Sequence, residues 1–229
     1  MTRRIALITC LILVTPVVLI LGYSRLLQNL ANEGGKLFDD RCNNVNPALI
    51  SYKNAYLEMM KLLNNKDSKP SQQLQLQIQT KLSDYISGIK AYIPLEEAWV
   101  NKQSKFVKRW DFIYLQPEFI KNLSIYQLEM YQGYLDHAKA TIALMDSVGT
   151  SKASELRAVA NEAGQRKVDA SKRYFTAFDQ ATKRSDWRKL LWKSPPVNCP
   201  EENLIIPDTS FDTIFPSPTP DIPTRSPNS

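Results

Sequence analysis

Histidine is nearly missing from this 229-residue chain, with His137 standing alone, and there are three cysteines and seven glycines. Zinc and iron sites draw on several nitrogen, sulfur or carboxylate ligands at short spacings, and one histidine with no cysteine nearby supplies none, so no metal and no cofactor is expected. Gly34-Gly35 in NEGGKLF has neither the spacing of a phosphate-binding loop nor the following Ser or Thr. No G-x-S-x-G turn is present to hold a serine nucleophile. Glu96 and Glu97 follow Pro94 directly, as acids do at a helix start, and so are read as helix-start acids rather than a glycosidase pair. The chain therefore carries no recognisable catalytic set and is not read as an enzyme. His137, inside a periodic helix, reads as a surface or boundary residue.

Strand signals are lacking too. No segment shows period-two alternation with β-branched density, whereas steps of three and four recur throughout. Leu49, Tyr52, Tyr56, Met59 and Leu63 form one such stripe, and Ile78, Leu82, Tyr85, Ile89 and Tyr92 a second. Pro94 predicts a kink or a fresh start, followed by a shorter helix carrying Leu95, Trp99, Phe106 and Trp110. The clearest stripe, Leu128, Tyr131, Leu135, Ala138, Ile142 and Met145, lies in a helix from Pro117 to about Ser147. Gly149 then marks a stop and Ser151 an N-cap. The last helix is expected from about Lys152 to Trp192, with Gly164 a place for an interruption. Ala160, Ala163, Ala170, Ala177 and Ala181 give it a small face; Val168, Phe175 and Phe178 give it a bulky one. The expected fold is all-α: an N-terminal transmembrane helix, then an antiparallel bundle of about four long helices.

Long uncharged runs are rare as well; there is one. Ile5 to Gly22 contains no charge and is just long enough to span a bilayer. Two readings stand, an uncleaved signal anchor and a secretory signal peptide cut at Gly22-Tyr23-Ser24. The length of the run and the aromatic Tyr23 at its end favour the anchor. Arg3 and Arg4 before it point to a cytoplasmic N-terminus, which leaves the bulk of the chain outside the cytoplasm as a single-pass membrane protein. Cys10 lies inside the run and lacks lipobox neighbours. Cys42, before the first bundle helix, and Cys199, after the last, bracket the domain, and an oxidising compartment favours a disulfide between them that closes the ends of the bundle.

Proline marks the other boundary. Of 14 prolines, nine fall from Pro195 onward, which predicts a disordered tail. Within it NLIIPDTSFDTIF (203–215) retains apolar character and could dock on the bundle or on a partner. The organisation expected is a signal anchor over 1–24, a membrane-proximal helix and linker over 25–46, a bundle over 47–194 and a Pro/Ser/Thr-rich tail over 195–229. The net charge of +6 is spread among interleaved acids, without a block of like charges, which argues against nucleic acid.

Two basic stretches carry tryptophan. KQSKFVKRW (102–110) and KRSDWRKLLWK (183–193) set Lys105, Lys108, Arg109, Arg184, Arg188, Lys189 and Lys193 beside Trp110, Trp187 and Trp192. Such residues meet an anionic surface or a partner, or else cap the core with solvated charges. A span followed by a helical bundle is similar in architecture to LemA-like proteins, to whose helices YSRLLQNL (23–30) and RKVDASKRYFTAF (166–178) bear a loose likeness. The arginine-rich motif after that family's first helix has no counterpart, so membership is not assigned. The function expected is protein–protein interaction by a membrane-anchored extracytoplasmic scaffold or accessory subunit of an envelope assembly. The alternative is a sensory or ligand-binding domain with a polar pocket lined by tyrosines.

Overall fold

The computed structural model describes residues 21–26, 28–30, 32–64, 72–110 and 118–183. Every secondary-structure element among them is helical, with no strand. Residues 21–26 and 28–30 are helical, and α1, residues 32–40, passes through a five-residue π-turn, Arg41–Val45, into α2, Asn46–Leu63. Three more helices follow: α3, Gln72–Trp110; α4, Glu118–Asp146; and α5, Ala153–Thr182. No helix among the described residues is long and apolar enough to cross a membrane. Apart from Leu21 and Gly22, the apolar run lies outside them, as do Arg184 to Lys193, Cys199 and the proline tail.

Contacts between helices fix an antiparallel order. Glu33 of α1 accepts from Arg109 (3.1 Å), Leu37 O accepts from Trp99 Nε1 (2.9 Å), and farther along the chain Glu58 of α2 pairs with Lys81 (2.7 Å). As residue numbers rise in α1 and α2 they fall in α3. Gln103–Gln127, Glu97–Lys139 and Lys90–Asp146 do the same for α3 and α4, and Glu129–Arg173 with the Leu144/Ala160 contact for α4 and α5.

The apolar stripes read from the sequence meet in one core, which holds Leu49, Tyr52, Tyr56 and Met59 of α2 and Tyr85, Ile89 and Tyr92 of α3. Tyr131, Leu135 and Ala138 of α4 join it, with Ala170 and Tyr174 of α5. The small face of α5 is the packing face: Ala160, Ala163, Ala170 and Ala181 are buried while Phe175 is 38% exposed. Fully burying a large apolar side chain contributes about 1.5–3 kcal/mol, so this shared core is the main stabiliser. Glycine allows two close approaches. A Cβ on Gly88 would lie 2.6 Å from Tyr52 Cβ, and one on Gly133 would lie 3.0 Å from Lys167 Cα.

Several expectations are corrected. Pro94 neither ends nor restarts a helix, because α3 continues through it. Pro94 lies on the exposed face, where a carbonyl left without an amide partner costs least, and buried Tyr92, Glu96 and Trp99 hold the opposite face. The chain is also helical without a break from 32 to 63, so the helix that carries the first stripe begins well before the expected bundle boundary at 47. The N-cap of α5 is Lys152, with no side-chain cap bond, rather than Ser151. Gly149, at φ +86°, is the turn residue expected, and Gly164 does not interrupt α5.

Candidate functional site

The sharpest chemistry lies at the π-turn. One extra residue per turn re-aims the side chains around it, and Arg41 points into the core with no solvent exposure. Its Nη1 donates to both oxygens of Glu96, at 3.0 and 2.8 Å, and both side chains are wholly buried. The guanidinium carbon stands 3.4 Å from the centre of the Tyr131 ring and 4.7 Å from that of Trp99. Those two rings meet edge to face at 4.7 Å. The cation is thus enclosed by a carboxylate and two π-faces, which replace part of the hydration lost on burial. Tyr92 faces Glu96 with its hydroxyl buried and short of hydrogen-bond geometry, and burial is the first cause holding its phenol well above the ordinary range. Glu96 is therefore a buried ion-pair partner and not a helix-start acid. Glu97 does lie on the surface, paired with Lys139 at 2.9 Å.

A second buried polar group sits where α4 meets α5. His137 is 7% exposed and packs on Gly164, where an added Cβ would lie 3.3 Å from its ring, so the surface assignment is corrected. Burial, and then the neighbouring Lys167 charge, lower its pKa to about 3. Lys167 is itself buried, its ammonium 5.9 Å from the Tyr134 ring. Tyr52, Tyr56, Tyr85 and His137 border a cavity of about 10 Å³. That is the room of one water. A larger groove of about 660 Å³ opens over α4, floored by Val100, Leu128 and Ala170 and edged by Glu129, Arg166 and Arg173. Glu129 and Arg173 pair with each other at 3.0 Å and Arg166 with Glu162 at 3.0 Å, while Asp136 and Asp169, which also line the groove, accept from Gln132 at 2.8 Å and from Gln165 at 3.0 Å.

The residues singled out in the sequence fall apart from these centres. Lys105, Lys108 and Arg109 are exposed near the C-terminal end of α3. The side chain of Trp110, like Arg184, Trp187, Arg188, Lys189, Trp192 and Lys193, lies outside the described residues. Cys42 corrects a geometric expectation: it lies inside a continuous helix, beside Arg41 and about two thirds of the way along α3, and not outside the helices at the end of the bundle. It is disulfide-bonded, and Cys199 lies outside the described residues. Among the described residues no group of three His, Cys, Asp or Glu is placed to hold a metal ion.

No protein-family model, curated protein or solved structure matches this chain.

Proposed function

We propose that this chain is a membrane-anchored helical protein that works by binding a protein partner, as a scaffold or accessory subunit of an envelope assembly, with most of its length outside the cytoplasm. The observation that carries the reading is helix at the end of the apolar run. The apolar run ends at Gly22 in helical residues, and a cut at Gly22-Tyr23-Ser24 would fall within them. From 32 to 63 the same strand of the fold is unbroken helix, held to α3 by Glu33, Leu37, Arg41 and Tyr52. Helix at the end of the apolar run and unbroken helix from 32 to 63, whose register against α3 is fixed by a buried ion pair, suit a rigid display platform. A disulfide from Cys42 to Cys199 would bring the tail back to the middle of the body, from which 203–215 could reach a partner.

Purification of the full chain from its native membrane, under mild detergent, tests the reading. Recovery with one partner in constant ratio is expected. Recovery of the chain alone, at every detergent tried, would sink it in favour of sensing, for which the 660 Å³ groove offers the better starting point.

A further inference from the structure

Two neighbouring helices carry matched charge on the face of the large groove. The pairing of Glu129 with Arg173, the approach of Gly133 to Lys167 and that of Gly164 to His137 fix the register of α4 against α5. Asp136 is therefore level with Arg166 to within about one residue, or about 1.5 Å of rise, and Gln132 is level with Asp169. Glu129, Gln132 and Asp136 on α4 and Arg166, Asp169 and Arg173 on α5 are all exposed and all line the groove. We propose that this face binds a second copy of the chain, with the α5 of each copy seated in the groove of the other about a two-fold axis parallel to the helices. The inference rests on the protein-binding reading above, for which it names one partner.

Symmetry makes the fit specific. A two-fold axis parallel to the helices preserves level, and placed between α4 and α5 it sets the α5 of one copy against the α4 of the other. Arg166 then meets Asp136 of the second copy, Asp169 meets the Gln132 amide, and Arg173 meets Glu129. Each contact occurs twice. An axis across the helices, centred on the same groove, would instead set Arg166 against Arg173 and Glu129 against Asp136, like charge against like. The parallel axis also leaves the start of α1 in both copies at one end of the dimer, as two anchors in one membrane require.

The groups are available for these contacts. Asp136 and Asp169 accept from glutamines of their own helices, and neither has a cation within ion-pair distance among the described residues. Arg166 gives Nη1 to Glu162 and is 60% exposed, which leaves donors of its guanidinium to spare. Length agrees as well, since the groove follows α4 from Leu128 to Asp136 and the wall that α5 supplies runs from Arg166 to Arg173, about two turns each. A partner of one charge sign would match one helix and oppose the other. Small-molecule sites bury most of their ligand, and the exposed rim here encloses little. Val100 and Ala170 are already buried on the floor and Leu128 is half-buried, so charge decides the contact and salt weakens it.

The test uses the full chain in mild detergent, with native mass spectrometry reading the copy number over a range of protein concentration and salt. Asp136→Arg and Arg166→Asp each put like charges together at both copies of the contact, and each alone should weaken the dimer about tenfold or more. An equal mixture of the two variants puts opposite charges back at both contacts. Mixed dimers, told apart by mass, should form about as tightly as dimers of the unaltered chain. Should either reversal lower the melting midpoint, the milder Asp136→Asn and Arg166→Gln take their place and should weaken the dimer without rescue on mixing. A monomer at every concentration, a dimer that both reversals leave intact, or reversed variants that stay apart when mixed would each overturn the interface. A dimer held only by the apolar run gives the second of these results. A chain that stays soluble without detergent refutes the anchor, and the same reversals then test the interface in water.

Discussion

Arg41 and Glu96 are 55 residues apart in sequence and share two hydrogen bonds with no solvent between them or around them. The pair fixes the rotation of the π-turn and the register of α1 and α2 against α3 in one contact. Removing one partner leaves an uncompensated buried charge, which costs about 3–5 kcal/mol, whereas replacing both with apolar groups of similar volume is often neutral. Arg41→Met and Glu96→Leu should each lower stability by that order in denaturant titration of the full chain. The double variant should recover most of the loss. Additive losses would show that the pair is not a unit.

Helix approach gives a second expectation. Gly88→Ala places a Cβ against Tyr52 Cβ and 3.0 Å from its Cα, and should destabilise by about 1–3 kcal/mol through overpacking. Gly35→Ala has nothing within 4 Å and should instead stabilise by about 0.5–1 kcal/mol, the helix preference for alanine. Thermal melts of the two variants compare them directly. The same sign for both would show that α2 and α3 are farther apart than described.

The helices were legible in the sequence because each stripe keeps its period, and so was the turn at Gly149. What was not legible was charge in phase with apolar residues. Glu96 continues Tyr85, Ile89, Tyr92 by a step of four, and Arg41 stands four before Val45, which stands four before Leu49. Lys167 fits between Ala163 and Ala170, and His137 between Tyr134 and Thr141. Composition marks such residues as surface, but phase marks them as core. Pro94 misled for a related reason, since proline followed by acids is also how helices begin. Only the burial of the opposite face shows that the helix continues. Cys42 was misplaced because Asn and Pro around it signal a loop, while the π-turn carries the chain through as helix.

His137 makes stability depend on pH. Its ordinary pKa of 6.5 falls to about 3 in the folded state, so the unfolded chain takes up the proton first. Stability is full above pH 6.5 and falls as pH drops from there toward 3, by about 1.4 kcal/mol per unit where only the unfolded state is protonated. Lys167 on α5 adds to the cost of charging the ring, and Lys53 on α2 lines the same small cavity. His137→Gln should flatten the slope between pH 6.5 and the carboxylate range. An unchanged slope in the variant would move the dependence to other groups.

Cys42 and Cys199 should be recovered as one linked peptide pair by non-reducing mass mapping of protein from its native compartment. The link would close a loop of 157 residues and, in the chain-entropy model, restrict the unfolded state by about 5 kcal/mol. Thr182 lies 17 residues before Cys199, ample chain to return to the middle of the body. Cys199 found as a free alkylated thiol would rule out this pairing.

Anchoring is the claim on which the rest depends, and alkaline carbonate washing of native membranes, followed by intact mass of the retained protein, tests it most directly. The account predicts that the chain stays with the membrane and that its mass includes the run from Ile5 to Gly22. A released protein whose first residue is Arg25 would contradict it, showing a cleaved leader where an anchor is proposed.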